Sequence, residues 1–416
     1  METFNATREH HTPILTREPS WEEIQNLFDF DRGYIQLAAA QFIVSHPKPL
    51  TEAIEYYRNK INEQPVLYTQ ENEDSKLERV RQACAECMNI ADPNNIALTE
   101  STSMGLGTIY SGLDLGPGDE IVTTEYDHYT HHESIRYACL RSGATFRKIS
   151  LYEDLANVTV TEIVESVVQN ITDQTRIVGI TWVHSGSGLK LPVPQISDAI
   201  AKINETREEN KILLVLDGVH GFGVELESFP ELGCQFFISG CHKWLYGPRG
   251  TGFIAATPQA WQHVTPIIPS FTDVMDMVIE GDGRPRKMDG KQMTPGGFHA
   301  FEHRWALYDA FTLMKSFGKQ HVYNRIHHLA RTCKEGLASM PHIILHTPMD
   351  DSLSAGIVSF EIKDYNTKEA VEELNRRRLV VTASPYKKSY VRITPGIYNT
   401  EAEIDKALSI IDTLHR

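Results

Sequence analysis

The sequence predicts an α/β protein, in which a large domain with a mostly parallel sheet covered by helices is followed by a smaller α+β domain. Three observations carry this prediction. Short apolar runs of strand length alternate with helical patterns between residues 96 and 238, as in repeated β-α units. Residues 282–290 are charged and glycine-rich, and they interrupt the alternation at what we take to be a domain boundary. Beyond residue 306, helical patterns alternate with strands such as residues 355–362.

The first ninety residues are predicted to supply an N-terminal segment and two amphipathic helices. Residues 1–30 are polar, with a helix start at Pro19–Glu23, and residues 33–41 are predicted to form a strand that runs into a loop. Charged and apolar positions alternate at helical spacing over residues 48–64 and 75–89, which predicts one helix in each range.

Residues 96–110 combine a short strand with hydroxyl side chains at the start of a helix. The hydroxyls belong to Ser101, Thr102 and Ser103. Backbone N–H groups at a helix N-terminus point out of the helix, and together with these hydroxyls they form an anion site suited to a phosphate monoester. An ordinary helix cap is the alternative interpretation, because Ser and Thr are favoured there for capping alone.

A histidine-rich segment follows the next predicted strand. The start of a helix here carries His128, Tyr129, His131 and His132. An aromatic side chain at this position is suited to stacking on a flat ring. A zinc site built from the three histidines is a poor alternative, because no helix face brings all three together with a fourth ligand.

Residues 175–192 contain another buried strand that ends in polar residues. Trp182, His184 and Ser185 therefore fall on the side of the sheet where α/β proteins bind their ligands. A tryptophan at a strand end is more often part of the core, so packing is the alternative role for Trp182. A helix is predicted over residues 195–208.

The next two strands lead to the most informative residues of the chain. Residues 211–216 are predicted to form a buried strand that ends at Asp217, whose carboxylate then points into the ligand crevice. After a strand at residues 235–238, Lys243 lies between an apolar run and a glycine-rich turn. Desolvation there lowers the pKa of the amine and makes it nucleophilic, so Lys243 is a candidate for Schiff-base formation. A solvated surface lysine is the alternative.

Composition restricts the possible partners. The chain has 416 residues, of which 41% are apolar and 23% charged, and its formal net charge is −15. This charge argues against nucleic acid and anionic membranes as partners, since both favour basic surfaces. The first thirty residues lack the apolar core of a secretory signal, and no apolar run approaches the length of a membrane span, so we expect a cytoplasmic protein.

Six cysteines are scattered without the spacing of a disulfide framework, and we expect reduced thiols. They are Cys84, Cys87, Cys139, Cys234, Cys241 and Cys333. The first two form a C-x-x-C pair in a helical pattern, but no second pair of metal ligands accompanies it.

Asp217 and Lys243 together meet the requirements of pyridoxal phosphate (PLP). This cofactor needs a lysine for its aldehyde and an acid that keeps its ring nitrogen protonated. On these residues and the motifs around them, Val215–Gly223 and Ile238–Phe253, the sequence resembles the class V aminotransferase family of fold-type I PLP enzymes. The resemblance implies a three-layer fold-type I transferase fold, and thus an enzyme that acts on an amino acid or an amino-acid-derived substrate.

The resemblance is strongest to the isopenicillin N epimerase-like branch of the family. The segments that carry this similarity are His242–Gly252 and Thr294–Trp305. The signature Ser389–Asp405 also resembles that of the family, which implies that Arg392 binds the α-carboxylate of the substrate, whereas a salt-bridged strand arginine is the alternative.

The resemblance also implies roles around the cofactor. It implies that His128 stacks on the PLP ring, with Tyr129 and His131 as less favoured candidates, and that His220 reaches the phenolic oxygen of the ring. Trp182 and His184 are candidates to face the substrate. The implied cofactor contacts are Ser101, Thr102, Ser103, His128, Asp217, His220, Ser239, His242, Lys243 and Thr294.

In relatives, the segment equivalent to the one around Thr294 crosses to the other subunit, which implies a homodimer with shared active sites. We therefore divide the chain into three parts. Residues 1–45 form an N-terminal segment that joins the small domain, and residues 46–290 form the large PLP-binding domain. Residues 291–416 hold the crossing segment, a long helix and the small C-terminal domain.

The expected reaction starts with removal of the Cα proton by Lys243, while Asp217 stabilises the resulting carbanion through the ring nitrogen. We favour a transaminase-like or oxidative deamination outcome in specialised biosynthesis. The alternatives are a lyase or cyclase that eliminates a β or γ group, as in C–S bond cleavage, an epimerase, and a catalytically dead binding subunit. Cysteine desulfuration is not expected, because residues 380–390 lack the nucleophilic cysteine that this reaction requires before the final arginine.

Overall fold

The computed structural model describes residues 17–39, 43–281 and 288–415. The helices of these residues are α1 Trp21–Gln25, α2 Lys48–Glu63, α3 Pro65–Met88, α4 Thr102–Gly112, α5 Tyr129–Ser142, α6 Val160–Gln169, α7 Val193–Glu205, α8 Phe229–Leu232, α9 Pro258–Trp261, α10 Asp273–Glu280, α11 Phe301–Phe317, α12 Lys319–Ala338, α13 Thr367–Arg376 and α14 Glu401–Asp412. None of them is long and apolar enough to cross a membrane.

The strands form three sheets. They are β1 Ile35–Gln36, β2 Ile96–Thr99, β3 Glu120–Thr124, β4 Thr145–Ile149, β5 Thr175–Thr181, β6 Leu213–Asp217, β7 Phe236–Gly240, β8 Gly252–Ala256, β9 Ile343–Leu345, β10 Val358–Ile362, β11 Leu379–Val380, β12 Thr382–Ala383 and β13 Val391–Ile393. The largest sheet has seven strands in the order β2-β8-β7-β6-β5-β3-β4, and only β8 runs antiparallel to its neighbours. This arrangement confirms the predicted α/β class and the mostly parallel sheet.

The central strands are buried on both faces, which explains why they appear in the sequence as continuous apolar runs. Successive side chains of a strand point to opposite faces. Leu214 and Leu216 accordingly belong to one hydrophobic cluster and Val215 to another, and Phe237 and Ile238 divide in the same way. The sheet is therefore the middle of three layers, and its strand ends lie between two cores.

The smaller domain is built on the antiparallel sheet β12-β13-β10-β9, which packs with α12, α13 and α14 around a separate core. The N-terminal segment contacts this domain, because β1 pairs in parallel with β11. Helix α11 packs against α2 and α3 of the large domain.

Several predicted boundaries shift. The helix predicted over residues 75–89 begins ten residues earlier at Pro65, because proline is well suited to the first position of a helix. Within the described part of the strand predicted over residues 33–41, the structure forms β1, and residues 40 and 41 lie outside the described residues. Helix α10 lies in a stretch for which we predicted no element, and residues 282–287 of the predicted boundary loop lie outside the described residues.

Candidate active site

Lys243 lies in a tight turn that follows β7. Its carbonyl accepts a hydrogen bond from the Tyr246 N–H at 2.9 Å. Tyr246 has a φ of 54°, a left-handed conformation that is unfavourable for a tyrosine. The Tyr246 hydroxyl accepts a hydrogen bond from the Ile397 N–H at 3.2 Å, and its ring packs against Phe28 and Tyr398. Phe28 belongs to the N-terminal segment, and Ile397 and Tyr398 belong to the smaller C-terminal domain. Contacts with both of these regions therefore hold the turn, and with it Lys243, in place.

The side chains of Lys243, Asp217 and His220 meet at the ends of β6 and β7. Because β6 and β7 are neighbouring parallel strands, their carboxyl ends lie side by side. The Nζ atom of Lys243 lies 2.9 Å from Nε2 of His220. Asp217 is buried, and one of its oxygens accepts a hydrogen bond from the Val219 N–H at 3.1 Å. Asp217 and Lys243 are close enough that the charge of each one affects the pKa of the other.

Burial shifts these three groups toward their neutral forms. Desolvation lowers the pKa of Lys243, although the charge of Asp217 opposes this shift. Desolvation also raises the pKa of Asp217, and the Val219 N–H and Lys243 limit that increase. The pKa of His220 lies well below its ordinary value, first because of burial and then because of the charge of Lys243. The site thus contains a neutral imidazole beside an amine that loses its proton easily.

The N-terminus of α4 is joined to the end of β7. The Thr102 hydroxyl accepts a hydrogen bond from the Gly240 N–H at 2.8 Å. A Cβ atom on residue 240 would lie 3.0 Å from the His242 ring and 3.2 Å from the Thr102 hydroxyl, so the space here suits glycine. Burial is the main cause that lowers the pKa of His242 to about 4.

Besides Thr102, three predicted hydroxyl residues lie around this joint, and they differ in how accessible they are to an anion. Ser101 is the N-cap of α4 and accepts a hydrogen bond from the Met104 N–H at 3.2 Å. Ser103 is exposed, whereas Ser239 is buried and donates to the Gly240 carbonyl at 2.9 Å. Ser101 and Ser103, together with the first N–H groups of α4, are thus better placed than Ser239 to meet an anion from outside.

His128 is the best placed of the three candidate stacking residues. It is half-buried at the N-cap of α5, and its pKa is lowered by burial and then by the charges of Lys243 and Arg392. Tyr129 points to solvent with 65% of its surface exposed. His131 is fully buried, and its Nε2 lies 2.7 Å from the Tyr110 hydroxyl, which makes it a core residue.

Trp182 and His184 are more deeply buried than their predicted roles suggest. Trp182 belongs to the main core and packs against Phe237. It also lines a cavity of about 1310 Å³ beside α3 and α11, which does not include Lys243 or Asp217 among its lining residues. The interpretation as a core tryptophan is therefore the one that its position favours. His184 is 1% exposed and lies 3.9 Å from the Asp127 carboxylate.

Arg392 approaches the site from the small domain. It lies on β13, is 4% exposed, and donates a hydrogen bond to the Ser185 carbonyl at 2.8 Å. Burial lowers the pKa of its guanidinium to about 10, so it stays charged at neutral pH. Ser185 itself follows β5 of the large domain, so this contact connects the two domains at the mouth of the site.

Tyr386 is a site residue that the sequence analysis missed. Its hydroxyl lies 2.6 Å from the Ser185 hydroxyl, and its ring packs edge to face against His128 with 6.2 Å between the ring centroids. The only sequence signal was its position in the segment before Arg392, which we noted for its lack of cysteine and not for its tyrosine.

Thr294 lies within its own chain. It is 5% exposed, and its hydroxyl accepts a hydrogen bond from the Leu98 N–H of the edge strand β2 at 3.2 Å. The predicted contact of Thr294 with the cofactor of a second subunit remains a prediction.

A model of the aminotransferase class-V family matches residues 45–407. The chain belongs to this family. Isopenicillin N epimerase from Streptomyces clavuligerus is 24% identical over 382 residues, which cover 88% of this chain and 92% of that protein. A cysteine desulfurase from Klebsiella pneumoniae (strain 342) is 22% identical over 360 residues, which cover 82% and 83% of the two chains. These matches confirm the resemblance drawn from Asp217 and Lys243.

The fold of this class-V family member is shared with solved PLP enzymes. A structure of a C-DES mutant with glycine covalently linked to its PLP cofactor superposes with a TM-score of 0.83, and it covers 95% of this chain and 99% of that chain at 20% sequence identity. This superposition confirms the predicted fold-type I architecture, and membership of the class-V family confirms the PLP cofactor.

The residues of the site fit PLP. The Lys243 amine can hold its aldehyde, the buried Asp217 can face its ring nitrogen, and the N-terminus of α4 can hold its phosphate. The Nδ1 atom of His220 is buried and has no hydrogen-bond partner in the described part of the chain, which is consistent with a polar group of the cofactor beside it. When bound, PLP supplies an electron sink for negative charge at Cα of an amino acid.

Proposed function

We propose that this protein is a PLP-dependent enzyme that removes the Cα proton of an α-amino acid. The observation that carries the proposal is the cluster of Lys243, His220 and Asp217, with a 2.9 Å contact between the Lys243 amine and the His220 imidazole. A lysine that loses its proton easily is a suitable base, and a buried acid at the strand end is a suitable partner for the cofactor ring.

Each residue has a role in this proposal. Arg392 binds the substrate carboxylate through the parallel hydrogen bonds that a guanidinium can make, and thereby fixes the position of Cα. The Nζ amine of Lys243 takes the Cα proton. His128 covers one face of the cofactor ring and keeps water away from it. Ser101, Ser103 and His242 are proposed to hold the phosphate.

The pKa values and positions of the cysteine thiols argue against cysteine desulfuration. Burial raises the pKa of all six thiols, and five of the cysteines are buried. None of them lies in the segment before Arg392, where Tyr386 reaches the site instead. A reactive thiolate needs a lowered pKa and access to the substrate, and none of these cysteines combines the two.

Transamination and elimination are two of the outcomes that can follow loss of the Cα proton, and they differ in the acids that they need. Transamination needs only Lys243 to return the proton at another position. Elimination of a poor leaving group from the β-carbon, such as a thiolate, needs a second acid that protonates that group. The phenol of Tyr386 at the mouth of the site favours elimination, so we place it ahead of the transaminase-like outcome that the sequence suggested.

Two measurements test the proposal. Borohydride should reduce the imine between PLP and the protein, and mass spectrometry should locate the pyridoxyl group on Lys243. Wild-type enzyme should exchange the Cα hydrogen of L-alanine for solvent deuterium, and Lys243→Ala should lose this exchange. A label on another lysine, or equal exchange in the Lys243→Ala variant, would refute the proposal.

We also propose that the enzyme is a homodimer. Apolar side chains are exposed on and beside α10, and Phe271, Ile279 and Phe298 are 63%, 74% and 92% exposed. Phe271 and Ile279 line a cavity of about 620 Å³ whose lining consists mainly of apolar residues between Trp261 and Gln292. An exposed apolar surface of this kind is typical of an interface, and a second copy of the chain is the partner that the predicted crossing segment requires.

A further inference from the structure

Tyr386 occupies a defined position at the entrance of the site. It lies in the loop between β12 and β13, and its backbone N–H donates to the Ser384 carbonyl at 3.0 Å. The loop is closed further by hydrogen bonds between Ser384 and Tyr390 in both directions. The phenol is thus held by an ordered loop of the small domain against Ser185 of the large domain.

Ser185 connects Tyr386 to the arginine that we propose binds the substrate. The Ser185 hydroxyl lies 2.6 Å from the Tyr386 hydroxyl, while its carbonyl accepts the Arg392 hydrogen bond at 2.8 Å. His128, which we propose covers the cofactor, contacts the Tyr386 ring edge to face. A substrate held between Arg392 and Lys243 therefore lies next to the phenol.

The phenol is protonated under ordinary conditions. Burial is the main cause that raises the pKa of Tyr386 to about 12, and the hydrogen bond with Ser185 only partly opposes it. A neutral phenol can donate a proton in the reaction and recover one afterwards. The Ser185 hydroxyl is its immediate partner for this exchange.

We propose that Tyr386 is the acid that protonates the group leaving from the β-carbon of the substrate, and that the enzyme is a β-eliminating lyase; this rests on the proposed function. Lys243 takes the Cα proton, and the electron pair of the Cα–H bond forms the Cα–Cβ double bond. The bond from Cβ to the leaving group breaks, its electron pair goes to the leaving group, and the Tyr386 proton neutralises it. Water then converts the remaining unsaturated amine to a keto acid and ammonia, and solvent returns the proton from Lys243 to Tyr386.

The test compares two probes that differ in their need for an acid. β-Chloro-L-alanine releases chloride, which leaves without a proton, whereas S-methyl-L-cysteine releases a thiolate that is a much poorer leaving group. Wild-type enzyme should form pyruvate from both. Tyr386→Phe should lose at least about 100-fold in pyruvate formation from S-methyl-L-cysteine, within the usual range for removal of a general acid. The same variant should stay within about threefold of wild type with β-chloro-L-alanine.

Two further measurements distinguish a role of Tyr386 as a general acid from a purely structural role. Tyr386→Phe should retain the Cα hydrogen exchange of L-alanine, and calorimetry should show unchanged binding of 2-methylalanine, which has no Cα hydrogen to lose. The matched control is Tyr390→Phe, because Tyr390 lies in the same loop but stacks on His346. This control should keep the activity with both probes.

The outcomes distinguish this inference from the proposed function. A wild-type enzyme that exchanges the Cα hydrogen but forms no pyruvate from S-methyl-L-cysteine would overturn the role of Tyr386 and leave the proposed function intact. An equal loss of activity with both probes in Tyr386→Phe, or a loss of 2-methylalanine binding, would also overturn it. A wild-type enzyme that forms no pyruvate and exchanges no Cα hydrogen would refute both.

Discussion

Lys243 and Asp217 are ionisable groups in a place from which water is largely excluded. Each pays a desolvation penalty for its charge, and each is partly compensated by the other. Because the pKa of Lys243 is lowered and His220 is kept neutral beside it, a proton on the amine is weakly held, whereas burial raises the pKa of Asp217 and favours a proton on its carboxyl group. Burial of these two charged groups is unfavourable for the stability of the apoprotein. The same burial favours the neutral form of the Lys243 amine, which is the form that reacts with an aldehyde.

The lowered pKa of Lys243 predicts how the apoprotein takes up PLP. Only the neutral amine attacks an aldehyde, so the rate of imine formation should rise with pH through the pKa of Lys243 and then become constant. Since that pKa is lowered, the midpoint should lie below the value of about 10.4 for an ordinary lysine. Stopped-flow absorbance over a pH series measures it. A midpoint at the ordinary lysine value would contradict the burial argument.

Arg392 predicts a specific loss of affinity for carboxylates. Arg392→Lys keeps the charge but loses the paired geometry, and a hydrogen bond to a charged group contributes about 1.5–3 kcal/mol. Amino acids should bind about 10- to 100-fold more weakly, as measured by titration of the cofactor absorbance. Arg376→Lys is the control, because Arg376 is 70% exposed on α13 and pairs with Glu373. Equal affinity in the two variants would exclude Arg392 as the carboxylate ligand.

The residues of the site differ in how far the sequence could predict them. Asp217 and Lys243 each follow an apolar strand, so local pattern was sufficient to single them out. Tyr386 meets Ser185 across 201 positions of sequence, and only the docking of the two domains brings them together. Trp182 was a candidate to face the substrate but packs in the core. A side chain at the end of a strand can point to either face of the sheet, and the sequence does not show which face it takes.

At the scale of elements, the joint between α4 and β7 determines whether the proposed phosphate site is formed. The hydrogen bond between Thr102 and Gly240 connects the helix N-terminus to the strand that leads to Lys243. The phosphate and the aldehyde of one cofactor must be bound at the same time, so this joint sets the distance between the two ends of the site.

Gly240→Ala should therefore weaken PLP binding. The added Cβ would lie 3.0 Å from the His242 ring, and overpacking of this kind costs about 1–3 kcal/mol. We expect about a tenfold or larger increase in the PLP dissociation constant, measured by fluorescence quenching of the apoprotein. Gly116→Ala is the matched control, because a Cβ there meets nothing within 4 Å. An unchanged PLP affinity in Gly240→Ala would show that the joint does not shape the site.

Buried elements were predicted more accurately than elements on the surface, because burial constrains the sequence more strongly. Strands β5, β6 and β7 were evident because burial on both faces requires continuous apolar runs. The first ten residues of α3 were missed because they lie mainly on the surface, where the sequence carries little periodic signal, although Pro65 marks the start. Helix α10 was missed because most of its apolar side chains are exposed, so its pattern does not mark a face that packs on the core.

At the scale of the whole molecule, the small domain carries Arg392, the proposed carboxylate ligand, and Tyr386, while the large domain carries Lys243 and the proposed cofactor contacts. In this proposal neither domain holds a complete site. The proposed dimer extends the same principle to a second chain through the apolar surface around α10.

Ile279→Asp should dissociate the dimer without unfolding the chain. Ile279 is 74% exposed in one chain, so the aspartate meets water in the monomer but an apolar partner in the dimer. Analytical ultracentrifugation should show a shift from dimer to monomer, with a melting temperature within a few degrees of the wild-type value. Ile344→Asp, at a 43% exposed position on β9, is the control and should remain dimeric. A wild-type protein that sediments as a monomer would refute the dimer.

The aromatic contacts of Tyr246 have a mechanical consequence. Tyr246 follows Lys243 by three positions, and its ring meets Phe28 of the N-terminal segment and Tyr398 of the C-terminal domain. A movement of the small domain relative to the large one would either separate these rings or turn about them. Because the Tyr246 ring contacts Tyr398 of the domain that carries Arg392, such a movement would be transmitted through these rings to the turn that carries Lys243.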